Sequence, residues 1–84
     1  MPHLIATPDQ LAQLLAASRR QAGLTQAEAA ARVGVSQSRI SAWETDAAAI
    51  TLAQLLSLCG AYGLQLQVRE KNQPGTEPAP SIEW

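Results

Sequence analysis

Four polar residues in residues 25–44 carry the side chains of this sequence that are best suited to binding another molecule. They are Gln37, Ser38, Arg39 and Ser41. The forked amide of Gln matches the major-groove edge of adenine, the guanidinium of Arg matches guanine, and a Ser hydroxyl can bond to a base or a phosphate. We predict Gln37 as the main base contact. Arg39 fits either a base or a phosphate, with a solvated position as the alternative.

Helical spacing places these side chains on the outer face of a short helix. Ile40, Trp43 and Glu44 fall on one side of that helix, whereas Ser38 and Ser41 fall on the other. The outer side lacks the long Lys and Glu side chains of an ordinary solvated helix, so it could sit deep in a groove. We expect Trp43 to belong to the core instead of stacking on a base.

A helix-turn-helix is the local structure that would present this face. Thr25 and Glu28 have the spacing of a capping box, which starts a helix, and the alanines that follow allow a second helix to approach closely. Gly34 tolerates the left-handed backbone that ends the helix, and Ser36 can cap the next one. The sequence therefore predicts two helices joined by about three residues.

Two further helices are predicted on either side of this unit. Residues 7–10 combine a Thr N-cap, a Pro at the first helical position, an acidic residue and a Gln that completes a capping box, and Gly23 ends the helix. Residues 51–54 repeat the capping pattern, and Gly63 stops the helix that follows. This fourth helix has more apolar positions than one face requires, so we expect it to lie partly at a subunit interface.

Residues 64–70 alternate between apolar and polar side chains, which is the pattern of a half-buried strand. Leu64, Leu66 and Val68 share the apolar side. A lone strand leaves its backbone groups unpaired. The simplest partner is the same strand of a second copy, paired antiparallel across a twofold axis, so we assign dimerisation to these three residues. The alternative partner is residues 4–5 of the same chain.

Length and charge limit what the chain can be. Its 84 residues hold one domain, and its net charge of -1 does not favour binding nucleic acid by bulk electrostatics. The balance is better up to Glu44, where four arginines face three acidic residues. No apolar run approaches the roughly 20 residues that span a membrane. We expect a cytoplasmic, nucleoid-associated protein that does not contact membranes.

Catalysis is not expected. The single histidine, His3, lies near the start of the chain, and the single cysteine, Cys59, is predicted to be a buried thiol among leucines. These residues cannot assemble a nucleophile with its base or a metal cluster. The sequence therefore predicts no enzyme, no metal and no cofactor. One cysteine also excludes an internal disulfide and fits a reducing compartment.

Residues 71–84 differ in composition from the rest of the chain. They contain three of the five prolines and show no hydrophobic periodicity, so we predict a disordered tail after a DNA-binding and dimerisation domain in residues 1–70. The tail ends in Trp84, a large aromatic side chain with nothing nearby in sequence to pack against. Such a residue could anchor a protein partner.

One motif spans the predicted helix-turn-helix. It reads Arg19-x-x-x-Gly23-Leu24-Thr25-Gln26-x-Glu28-x-Ala30-x-x-Val33-Gly34-Val35-Ser36-x-x-x-Ile40-Ser41-x-Trp43-Glu44. It resembles the Cro/C1, or XRE, family of helix-turn-helix DNA-binding domains, and the resemblance covers residues 7–63. The fold this implies is all-α, a compact four-helix, lambda-repressor-like domain, to which our reading adds the one short strand. The residues to which we assign DNA binding are Thr25, Gln26, Ser36, Gln37, Ser38, Arg39 and Ser41.

The resemblance also implies supporting roles. Gln26 occupies a position that commonly bonds a backbone phosphate or buttresses the recognition helix. Arg19 occupies a position that often pairs with the Glu at the end of that helix, here Glu44; the alternatives for Arg19 are a solvated charge and a phosphate contact. A leucine-like position of the family is Ala29 here, so the core is expected to be slightly thinner at that point.

The order of features is similar to the HipB-type antitoxins. Those proteins are homodimeric repressors that bind an operator and neutralise a HipA-type serine/threonine kinase toxin, and both protomers contribute a strand to a lid. The resemblance implies that residues 64–70 form such a lid, and that the tail, including Trp84, contacts the toxin or serves as a protease-accessible segment. A twofold dimer implies a near-palindromic operator in double-stranded DNA. The alternatives are a stand-alone XRE-family regulator without a toxin and a pure protein-interaction module.

Overall fold

The computed structural model of the protein describes residues 3–71. This part of the chain forms an all-α domain of four helices, which confirms the predicted four-helix architecture. The helices are α1 (Pro8–Gln21), α2 (Gln26–Val33), α3 (Gln37–Thr45) and α4 (Leu52–Tyr62).

Side-chain caps fix where each helix begins. Thr7, Thr25 and Thr51 each form a complete capping box with the Gln or Glu three residues later, and Ser36 accepts a hydrogen bond from the Arg39 amide at 3.1 Å. The residue that ends α2 is Gly34, whose φ of 75° is a left-handed backbone that side-chain-bearing residues rarely adopt. Because α3 starts three residues later, the connection is the short turn that the sequence predicts.

The core lies among the four helices: α3 packs against α1 and α2, and α4 packs against the same two helices. Leu15, Ile40 and Leu58 are its largest fully buried side chains, and they come from α1, α3 and α4 respectively. On α2 the buried positions are Ala29 and Ala30, whose small side chains let the helix backbone approach its neighbours closely. Ala29 is fully buried, so the position at which the core was expected to be slightly thinner is closed to solvent.

The fourth helix has apolar side chains on two sides. Leu58, Cys59 and Tyr62 are buried against the core, whereas Leu52 and Leu56 are 64% and 48% exposed. The excess apolar positions of α4 therefore lie on the outer surface of the single chain. Their burial in a subunit interface remains a prediction.

Residues 64–70 follow α4 without forming a helix or a strand in the single chain. No β-bridge links them to residues 4–5, the alternative partner within the chain, anywhere in residues 3–71. Pairing with a second copy remains a prediction. The predicted tail lies outside the described residues except for Lys71, and Trp84 lies outside them as well. None of the described helices is long and apolar enough to cross a membrane.

Candidate nucleic-acid interface

The recognition-type face belongs to α3. Gln37, Ser38, Arg39 and Ser41 are all exposed, and they occupy the first five positions of the helix, with Ile40 buried among them. Ile40 on the inner side is only 1% exposed. Its burial sets the rotation of α3 about its axis, so the short polar side chains face outward.

Trp43 anchors the other end of the same helix. It is 5% exposed and belongs to the hydrophobic core cluster, as predicted from its position on the inner side. An indole buried in this way packs α3 onto the domain and is not available to stack on a base. With Ile40, it therefore fixes the orientation in which the outer face is presented.

A buried ion pair ties the end of α3 to α1. The Arg19 Nε donates to Glu44 Oε2 at 2.7 Å, and Arg19 Nη2 donates to Glu44 Oε1 at 3.2 Å. The two side chains are only 10% and 8% exposed. This confirms the predicted pairing and excludes both alternatives, because the guanidinium is neither solvated nor directed at an external phosphate. A two-point contact of this kind fixes direction as well as distance.

Two further hydrogen bonds extend the pair to the rest of the helix-turn-helix. Arg19 Nη1 donates to the carbonyl of Leu24 at 2.8 Å, just before α2. The Gln26 Nε2 donates to Glu44 Oε1 at 3.1 Å. Gln26 therefore buttresses the recognition helix, which is one of the two roles implied by the family resemblance. A phosphate contact of Gln26 remains a prediction.

The pKa values of Arg19 and Tyr62 are both raised in this cluster. The hydrogen bond from Arg19 to Glu44 raises the pKa of Arg19, outweighing the opposite effect of burial. Burial raises the pKa of Tyr62 on α4, and the negative charge of Glu44 raises it further. Tyr62 stays neutral at physiological pH. The Glu44 carboxylate of α3 thus binds side chains of α1 and α2, and its negative charge acts on the Tyr62 phenol of α4.

The acidic side chains of α2 and α3 are both used within the domain. Glu44 is in the ion pair. Glu28 accepts a hydrogen bond from the Thr25 amide at 2.8 Å, and hydrogen bonding to the backbone and side chain of Thr25 lowers the pKa of Glu28. Arg39 is exposed at the start of α3, where a base or phosphate could accept its hydrogen bonds.

Thr25 and Ser36 occupy the helix starts nearest this surface. Both are exposed, and each uses its side-chain oxygen to cap its own helix. The amides of the first helical turn lack partners within a helix and favour anions such as phosphate. A DNA contact by either residue stays a prediction, and the caps already explain why these residue types occur there.

Three contacts were not foreseen from the sequence. One is the Leu24 carbonyl that accepts from Arg19, for which no signal exists because every residue carries a carbonyl group. The second is an Asp46 carboxylate oxygen that accepts from the Ala48 amide at 2.9 Å and shapes the loop after α3. The third is the Thr45 hydroxyl, which donates back to the Ser41 carbonyl at 3.1 Å. An Asp after a helix and a Thr four residues after Ser41 were the available signals for the last two.

Metal ligands do not gather in the part of the chain that the structure describes. Within residues 3–71, no three His, Cys, Asp or Glu side chains lie close enough together to hold an ion. Cys59 is a free, buried thiol, as predicted.

The helix-turn-helix family model matches residues 15–68 of the chain. Three similar solved structures contain HipB. A HipB variant in a complex with an O2 20mer is 30% identical, with a TM-score of 0.75, and the match covers 83% of this chain and 97% of that one. HipB in a complex with an O4 20mer is 29% identical, with a TM-score of 0.74, and the match covers 82% of this chain and 97% of that one. A chain of a HipA-HipB-O2-O3 complex is 28% identical, with a TM-score of 0.76, and the match covers 84% of this chain and 100% of that one. No curated protein matches the sequence.

Proposed function

Because the chain belongs to the XRE-type helix-turn-helix family of DNA-binding regulators, we propose that it acts as a homodimeric repressor and as the antitoxin of a toxin-antitoxin pair. In this proposal α3 of each copy reads one half of a palindromic operator. The second partner is a HipA-like serine/threonine kinase toxin.

The outer face of α3 is the observation that carries the DNA-binding part. Its exposed side chains are short or forked, so the helix backbone can come close to base edges while Gln37 and Arg39 supply the hydrogen bonds. The Arg19–Glu44 pair holds this helix against α1 at a fixed angle. In a helix-turn-helix the second helix lies in the major groove with its N-terminal residues on base edges, which is where the exposed polar residues of α3 occur.

Dimerisation supplies the affinity that one copy lacks. The net charge of -1 and the few exposed arginines provide little non-specific attraction to DNA. Two linked α3 helices would bind two half-sites at once, with centres about 10 base pairs apart or at a larger in-phase spacing. A near-palindromic operator follows from the twofold symmetry.

Base reading by Gln37 can be tested with a matched glutamine. Gln37→Ala should reduce the preference for the operator over random DNA by about 1–3 kcal/mol, because the amide would lose its base partner. Gln13 is an exposed glutamine on α1, and Gln13→Ala should leave both affinities unchanged. The measurement is fluorescence anisotropy with the inverted repeat upstream of the gene and a scrambled duplex, at one salt concentration. An equal loss on both duplexes would assign Gln37 to backbone positioning.

The kinase partner is supported by the similarity to HipB in the HipA-HipB-O2-O3 complex, where the match covers the whole of the similar chain. A kinase-like reading frame beside the gene, and recovery of its product with the tagged protein from the native host, would support the proposal. Trp84→Ala should weaken kinase recovery while operator binding is retained. Operator binding without an adjacent or co-purified kinase would favour a stand-alone regulator.

A further inference from the structure

Apolar side chains become steadily more exposed along the segment after α4. Leu64 is half-buried and packs against the core cluster, Leu66 is 46% exposed, and Val68 is 92% exposed. Within one chain, Val68 therefore has almost no apolar contact. Each apolar residue of the segment that is left in water costs free energy that a second surface could recover.

When two copies pair antiparallel, the exposed apolar residues of one copy can meet the more buried apolar residues of the other. In an antiparallel pair, residues directly opposite each other lie on the same face of the sheet. If Leu66 lies opposite Leu66 of the partner subunit, then Val68 lies opposite the partner's Leu64. The most exposed apolar residue of each copy then meets the residue that is seated on the core of the other.

The neighbouring registers lose this match. A twofold axis through Gln67 would place Leu64 opposite the partner's Glu70, so a half-buried leucine would face a carboxylate. An axis through Gln65 would place Val68 opposite the partner's Tyr62, which belongs to α4 and cannot pair as a strand residue. Only the axis at Leu66 sets all three apolar residues against apolar partners.

We propose that the twofold axis of the homodimer passes through Leu66, so that residues 64–68 of the two copies form the paired segment. This rests on the homodimer of the proposed function and specifies its register. The same register sets Arg69 opposite the partner's Gly63, which caps the end of α4. The last turn of α4 has no basic residue, and a cation placed there is favourable for the carbonyl groups that end a helix.

Disulfide cross-linking distinguishes the registers because its geometry is narrow. Directly opposite residues have Cα atoms about 4.5–5.5 Å apart, inside the range that a disulfide spans, whereas diagonal neighbours are about 7–8 Å apart and outside it. In a Cys59→Ala background, Leu66→Cys should form a disulfide with the same position of the partner subunit under mild oxidation. The matched variants Gln65→Cys and Gln67→Cys should not, since each substituted residue would be a diagonal neighbour of the same position in the partner subunit.

A second variant covers the case in which Leu66→Cys weakens the dimer. Leu64→Cys combined with Val68→Cys should give covalent dimers through two symmetric bonds, while each single substitution should give none. Non-reducing gels report the cross-links, and sedimentation of the unoxidised proteins reports the dimer. The wild-type chain, whose only thiol is the buried Cys59, shows whether Cys59 itself forms cross-links.

The outcomes separate the register from the dimer. A dimer that cross-links at Leu66→Cys, or through the double variant, supports the proposal. A dimer that cross-links at Gln67→Cys or Gln65→Cys instead overturns the register and leaves the homodimer standing. A chain that sediments as a single copy at micromolar concentration, and gives no cross-link at any position, overturns both.

Discussion

Glu44→Ala should destabilise the protein more than any exposed substitution, because it strands a buried positive charge. The Glu44 carboxylate accepts two hydrogen bonds from Arg19 and one from Gln26. Without it, the Arg19 guanidinium retains only the Leu24 carbonyl, in a side chain that is 10% exposed. The neutral amide of Gln26 also loses its acceptor.

The expected cost is about 3–5 kcal/mol, which is typical of breaking a buried pair by removing one partner. Domains of this size have a total stability near the lower end of about 5–15 kcal/mol. Each kcal/mol corresponds to roughly 4–8 °C of Tm in a domain of 60–100 residues, so a decrease in Tm of about 12 °C or more is expected. Arg19→Ala should have a similarly large effect.

The assay is thermal and urea denaturation followed by circular dichroism, with Arg20→Ala as the matched control. Arg20 is the next residue of α1 and is exposed, so its removal should change stability by no more than about 0.5 kcal/mol. The double variant Arg19→Ala with Glu44→Ala removes both charges and completes the cycle with the two single variants. It should cost less than the sum of the two single variants, since neither charge is then left without its partner.

Negligible shifts in Tm for both Glu44→Ala and Arg19→Ala would show that the ion pair does not stabilise the fold. Strict additivity in the double variant would show the same, because residues that form a direct contact must show coupling. Either result would mean that α3 is held by the packing of Ile40 and Trp43 alone.

Three further predictions concern single residues. The pKa of Glu28 is lower in the folded protein than the ordinary value of about 4.3 for a Glu side chain. The carboxylate therefore stabilises the fold at a pH above about 4.3, and this stabilisation is lost as the pH falls through the pKa of the folded state. Glu28→Gln should flatten the dependence of Tm on pH between about 5 and 3. Burial raises the pKa of the Cys59 thiol, so alkylation at pH 8 should be slow in the native protein and rapid in urea. Ser36→Ala should lower stability by about 1 kcal/mol, measured by urea titration, because α3 loses its N-cap; an unchanged midpoint would contradict that role.

Local chemistry made the helices predictable. A Thr followed three residues later by Gln or Glu specifies a helix start through contacts within one turn, and all three such pairs form capping boxes. Gly34 marks the end of α2 for an equally local reason. The inward side of α3 followed from helical spacing, which placed Ile40 and Trp43 together.

Contacts between elements were harder to anticipate. The Arg19–Glu44 pair was implied by family resemblance and not by spacing, since the two residues lie 25 positions apart. The family resemblance implied two roles for Gln26, and the hydrogen bond from Gln26 to Glu44 in the fold identifies the buttress. The alternation in residues 64–70 indicates a strand, yet a strand needs a partner backbone, and the described part of the single chain does not provide one.

In the proposed function, two copies present their α3 helices together to the two halves of one operator. Sedimentation equilibrium of the full chain, mixed with the labelled inverted-repeat duplex from upstream of its gene, tests it most directly. We expect two chains on each duplex, and a duplex that carries a single half-site should be retained far more weakly. A single chain on each duplex, or equal retention of the intact and the halved site, would contradict it.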